Sequence, residues 1–155
     1  FEFLTKHDND YLTELHQLFM QKVIRPQMRP EGFKAIERHR EAGHELVGIT
    51  ATSDFITAPI FREFGINEII ATNAEIVDGK YTGKVINTAC YQKGKLIRLE
   101  QWLEGRDVTE SWAYSDSIND RFLLEHADHA IAVNPDDRLE ALAKEQGWKI
   151  QDWSI

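Results

Sequence analysis

Two carboxylates, Asp116 and Asp120, lie four residues apart at the end of an apolar run, Trp112-Ala113-Tyr114-Ser115, with Asn119 between them. Oxygen ligands at a strand end suit a hard cation such as Mg²⁺, which takes one or two protein carboxylates and fills its shell with water and substrate phosphate. In open α/β sheets such ligands bind in the crevice beyond the carboxyl ends of the strands. A second strand end is Thr50, after Leu46-Val47-Gly48-Ile49. A hydroxyl there can donate to an anion, and a following helix N-terminus would add free N–H groups and a favourable dipole. A third segment, Lys93-Gly94-Lys95, stands before a helical pattern and offers phosphate oxygens a compact positive charge. Together the three describe a metal-assisted phosphate site. Each also has a local reading. The two aspartates serve equally as loop and helix-cap acids, Thr50 to Ser53 as a capping cluster, and the lysines as a solvated face.

The elements that must hold these residues follow from periodicity. Leu12, Leu15, Leu18, Phe19 and Val23 recur at helical spacing, with Asp8 or Asp10 as a cap, and Pro30 opens a second helix that Gly43 closes. From Glu45 onward strand and helix alternate. Strands are expected at 45–49, 66–72, 111–115, 129–133 and 148–153, and helices at 55–64, 95–103, 121–126 and from Leu139 to Gly147. This order calls for a parallel, doubly wound α/β sheet. Asp78-Gly79, flanked by alternating residues from Ala74 to Val85, marks a β-hairpin extension.

The 155 residues suffice for one sizeable core. A formal charge of −8 argues against non-specific nucleic-acid binding, which depends on clustered Lys and Arg. It leaves room for a small phosphorylated substrate in a locally positive site. No apolar stretch reaches the ~20 residues of a membrane span, and Phe1 to Lys6 shows no basic segment leading into an apolar one, so a soluble, cytoplasmic protein without membrane contact is expected. The single cysteine, Cys90, agrees with a reducing compartment. The six histidines give no metal-ligand spacing, and the oligomeric state is not legible.

The order of these motifs resembles the haloacid dehalogenase superfamily, in its phosphoserine-phosphatase-like branch with a small helical cap. Val47-Gly48-Ile49-Thr50 matches the second motif and Lys93 the third, with Lys95 as the second-ranked register. Ser115-Asp116-Ser117-Ile118-Asn119-Asp120 matches the fourth, Gly-Asp-Gly-x-Asn-Asp, with serines in place of both glycines. The hairpin, Asn134 to Leu139 and Gly147-Trp148 also match, most closely a bacterial subgroup that includes histidinol-phosphate phosphatases. The resemblance implies a core at 29–155, with 1–28 as the end of the cap. It further implies a Mg²⁺-dependent phosphomonoesterase of small metabolites. In that role Thr50 and the Ala51 N–H bind phosphate, Lys93 stabilises its charge and Asp116 ligates the metal. Asn119 and Asp120 organise metal waters, lysine or substrate.

The family's first strand, ending in the nucleophile motif D-x-D-x-T, has no match here. Asp8-Asn9-Asp10 has the spelling but follows no apolar strand and reads as a helix cap. In the family that strand lies mid-sheet, between the strands of the second and fourth motifs. The expectation is therefore that this sequence is the carboxy-terminal portion of a longer enzyme and inactive alone. The alternatives are a binding or regulatory domain that lost its nucleophile, a phosphotransferase or phosphonatase on the same scaffold, and an acidic interaction module without a site.

Overall fold

A short helix, α1 (Glu2–Thr5), precedes Asp8, whose carboxylate accepts the Tyr11 N–H at 2.8 Å and so caps α2 (Asn9–Phe19). The D-x-D spelling is thus a helix start. Leu12 is 1% exposed and packs with Leu4 and Ala74. Beyond Phe19 the helix widens into a π turn, Met20–Ile24, and then tightens into a 3₁₀ turn, Arg25–Gln27, where Pro26 cannot supply an N–H. Pro30 opens α3 (Pro30–Glu41), and Gly43 (φ 78°) lies beyond its end.

The computed structural model describes residues 2–86 and 89–155. It divides into two compact units, Phe1–Cys90 and Tyr91–Ile155, so the boundary expected after residue 28 falls inside the first. In that first unit β1 (Val47–Ser53) pairs in parallel with β2 (Glu68–Thr72) through the crossover helix α4 (Asp54–Glu63). Register runs evenly from Val47↔Glu68 to Ile49↔Ile70, then shifts before Ser53↔Thr72. The strand was expected to stop at Ile49. It instead stays extended through Ser53, because the β-branched Thr50 and Thr52 favour extended backbone and the ladder absorbs the extra residues as a bulge. Gly48 is buried in this strand, where an added Cβ would come 2.4 to 2.7 Å from the Phe61 ring. The hairpin strands β3 (Ala74–Val77) and β4 (Lys80–Val85) join through Asp78 (φ 50°) and Gly79 (φ 76°), the two positive φ values of a type I′ turn.

The second unit begins with α5 (Lys93–Leu103) and contains a parallel sheet in the order β5 (Trp112–Ser115), β6 (His129–Val133) and β7 (Lys149–Gln151). Helices α6 (Arg121–His126) and α7 (Asp137–Gln146) form the crossovers. Leu124, Leu139, Ala132 and Ala143 are at most 1% exposed and form its core. Among the described residues, β1 has no strand partner besides β2, and β5 none besides β6.

Candidate functional site

The turn after β5 is tied at nearly every peptide group. The Ser115 hydroxyl donates to Asp120 Oδ2 at 2.7 Å and accepts the Ser117 N–H at 3.1 Å. Ser117 then accepts the Asn119 N–H at 3.2 Å, capping a 3₁₀ turn, Ile118–Asp120. From the loop between β6 and α7, the Asp136 N–H donates to the Asp116 carbonyl at 2.8 Å. The Asp136 carboxylate accepts the Ile118 N–H at 2.9 Å and the Leu139 N–H at 2.8 Å. The Ile118 N–H, then that of Leu139, hold the Asp136 carboxyl below the usual aspartate range. The Asp116 side chain is exposed and makes no hydrogen bond or ion pair among the described residues. Both serines that replace family glycines therefore have partners, and neither occupies a positive-φ conformation.

The two candidate lysines lie in different surroundings. Lys95, not Lys93, is buried, and its ammonium meets Asp120 Oδ1 at 2.5 Å with the two side chains 10% and 15% exposed. Lys93 is exposed, with its Nζ 5.5 Å from the centre of the Phe122 ring. The cause is helical geometry: α5 starts at Lys93, and residues two apart on a helix project about 200° apart, so only one of the two can face Asp120. Ahead of them Gln92 holds φ 47° and ψ −117°, and its amide donates to Tyr91 Oη at 3.3 Å and to Asn119 Oδ1 at 3.5 Å. The second unit thus gathers Lys95, Asn119 and Asp120 into one hydrogen-bonded group with Ser115 and Gln92, adjoining Asp116.

In the first unit Thr50 is half-buried and Ala51 exposed, both within the β1 bulge. Thr50 Oγ1 accepts the Thr52 N–H at 3.1 Å. The Thr72 hydroxyl donates to the Ala51 carbonyl at 2.9 Å and accepts the Cys90 N–H at 3.2 Å, which fixes the bulge from below. The helix after Thr50 starts within one residue of the expected position, with its cap inside the cluster from Thr50 to Ser53. The cap of α4 is Ser53, which accepts the Phe55 N–H at 3.2 Å, so the helix dipole lies three residues beyond Thr50. Asp54 uses one oxygen on the Asn73 amide at 2.9 Å and the other on the Phe55 and Ala74 N–H groups.

Among the described residues no three His, Cys, Asp or Glu side chains converge as a metal cage. Asp116 is nevertheless a fitting ligand for a hard cation. Its carboxylate has no partner among the described residues, its loop is fixed, and Mg²⁺ needs only one or two such carboxylates. Asp120 is committed on both oxygens, to Lys95 and to Ser115, which suits a supporting place beside the metal rather than direct ligation.

The first unit carries a threonine in a strand bulge, and the second a buried Lys–Asp pair near an exposed aspartate at the end of β5. The model of the haloacid dehalogenase-like hydrolases matches residues 1–125, and the chain belongs to this family. Two of its relatives are named as phosphatases. It is 40% identical over 153 residues to a histidinol-phosphatase of Neisseria meningitidis, covering 95% of this chain and 69% of that protein. It is 39% identical over 121 residues to a phosphoserine phosphatase of Mycobacterium tuberculosis, covering 77% of this chain and 39% of that one. The crystal structure of a protein with unknown function from Bordetella pertussis Tohama I superposes with a TM-score of 0.93 at 39% identity, covering 97% of this chain and 70% of that chain. A probable phosphoserine phosphatase from Vibrio cholerae shares the fold, with a TM-score of 0.68 at 18% identity over 86% of this chain and 40% of that chain.

The sequence reading missed Ser115 and Asp136 as supports of the turn and ranked the buried lysine second. Ser115 had a signal in its departure from the glycine pattern. Asp136 had only the look of a helix cap, since its bond to the Ile118 N–H is tertiary.

Proposed function

We propose that the complete protein is a Mg²⁺-dependent phosphomonoesterase acting on a small phosphorylated metabolite through an aspartyl-phosphate. The observation that carries the reading is one turn that bears the Asp116 carboxylate, without a partner among the described residues, and Asp120, which is paired with the buried Lys95. Asp116 would hold the cation, which when bound neutralises developing charge on phosphoryl oxygens. Lys95 takes the place first assigned to Lys93, offering a desolvated ammonium to phosphate, and Asp120, steadied by Ser115, orients it. Asn119 faces substrate or metal water, while the Thr50 hydroxyl and the Ala51 N–H contribute to phosphate binding. The nucleophile would belong to a D-x-D-x-T strand outside this sequence, and β1 and β5 each have one edge without a strand partner among the described residues. The name of the 40% identical relative makes histidinol phosphate the first substrate to try, with phosphoserine next. A cytoplasmic setting accords with the lone, buried Cys90.

The test is phosphate release by the complete protein from p-nitrophenyl phosphate, then from a panel of phosphorylated metabolites, with Mg²⁺ and with EDTA. Turnover should require the cation and vanish in Asp116→Asn. Undiminished release by that variant would defeat the assignment.

A further inference from the structure

The Asp136 side chain does more than start a helix. As the N-cap of α7 it accepts the Leu139 N–H with Oδ1, which is all that capping requires. Its second oxygen reaches across to the Ile118 N–H at 2.9 Å, while its own N–H donates to the Asp116 carbonyl at 2.8 Å. The two bonds grip the turn on either side of Ser117, whose N–H is held in turn by Ser115. Three successive residues thus have a backbone polar group engaged, and the Asp116 carboxylate has no partner among the described residues. A flexible turn would let that carboxylate swing among rotamers and backbone states, each lost on binding a ligand. A turn held at both ends pays that ordering cost during folding.

We infer that Asp136 is a positioning residue for Asp116: by bracketing the turn from Asp116 to Ile118 it preorganises the carboxylate that takes a divalent cation. The inference rests on the reading of Asp116 as a metal ligand. Groups that orient a metal ligand without touching the metal typically alter affinity 10- to 100-fold. Asp136 would do so through the main chain, coupling the start of α7 to the metal without contacting it.

The discriminating variant is Asp136→Ser. Its hydroxyl still caps α7 through the Leu139 N–H, but one short oxygen cannot also hold the Ile118 N–H. Metal affinity is read in the complete protein by Mn²⁺ binding, from the loss of the free-ion electron paramagnetic resonance signal. Mg²⁺ activation of p-nitrophenyl phosphate release is read in parallel. Asp136→Ser should weaken Mn²⁺ binding about tenfold or more and raise the Mg²⁺ activation constant by a larger factor than it lowers kcat at saturation. Asp136→Asn, which turns a donor toward one of the two N–H groups, should act in the same direction and serves if the serine variant does not fold. Amide exchange at Ile118 should quicken in both. Wild-type Mn²⁺ affinity in the folded variants, with Asp116→Asn impaired, overturns the role of Asp136 alone. Equal Mn²⁺ binding by wild type and Asp116→Asn, or none by wild type, overturns the metal reading and this inference with it.

Discussion

Replacing the two lysines of α5 one at a time separates a buried charge from a surface one. In Lys95→Met the Asp120 carboxylate, 15% exposed, loses its ion-pair partner and keeps only the Ser115 hydroxyl. Removing one member of a buried pair costs about 3–5 kcal/mol, and the surviving hydrogen bond and partial exposure place this case near ~3 kcal/mol. Lys93→Met loses a cation–π contact at 5.5 Å from an exposed position, a matter of about 0.5–1 kcal/mol. The double variant Lys95→Met with Asp120→Asn leaves no orphaned charge, so it should be more stable than Lys95→Met alone, with a coupling of about 2 kcal/mol. Equilibrium urea unfolding of the complete protein measures all three. Phosphate release should separate them further, with kcat falling about 10²- to 10³-fold in Lys95→Met and only a few-fold in Lys93→Met. A cost below about 1 kcal/mol for Lys95→Met, or equal costs for the two lysines, would refute the reasoning that burial and the Asp120 contact single out Lys95.

Three other changes probe the frame around the site. Gly48→Ala drives a methyl against the Phe61 ring and should cost about 1–3 kcal/mol in urea unfolding, whereas an unchanged midpoint would mean the ring simply swings away. Gln92→Gly relieves a left-handed backbone worth about 1–3 kcal/mol of strain against glycine's added chain entropy, so thermal unfolding should shift upward; a downward shift would show that the amide contacts outweigh the strain. His39 and His44 share an Nδ1–Nδ1 hydrogen bond at 2.8 Å, and burial, then the charges of His44 and Arg38, lower the His39 pKa. The unfolded chain then takes up its proton first as pH falls. Stability should be full above the ordinary histidine value of about 6.5 and decline below it toward the folded value. His39→Asn should flatten that decline below about pH 6.5, and an identical slope in both proteins would exclude His39 as its source.

The alternation of strand and helix was legible because buried parallel strands and amphipathic helices write different periods, as in Ala130-Ile131-Ala132-Val133 against Leu139-Leu142-Ala143. The hairpin was legible because Asp78-Gly79 supplies the positive φ angles that its turn needs. The bulge at Thr50 was not. Threonine and serine suit both a strand and a cap, and the choice falls to the pairing of Ser53 with Thr72. Which of the two lysines is buried was not legible for a related reason. Lys93 and Lys95 differ in which side of α5 they occupy, and which side faces Asp120 is a property of packing. The type and order of the site residues in the second unit could be read from the chain, while the network that fixes Asp116 joins segments some twenty residues apart and leaves no local trace.

Each parallel ladder among the described residues closes over a short stretch of chain. Register partners lie about 17 to 21 residues apart, Val47 with Glu68, Trp112 with His129 and Ile131 with Lys149, each pair spanned by a single crossover helix. Loop closure over such distances is cheap, and folds rich in nearby contacts acquire structure fast. The ladder between β1 and β2 can form on the ribosome before any residue of β5 has been synthesised. Each sheet is thus a kinetic module, able to shelter its own apolar side chains while the rest of the chain is still emerging.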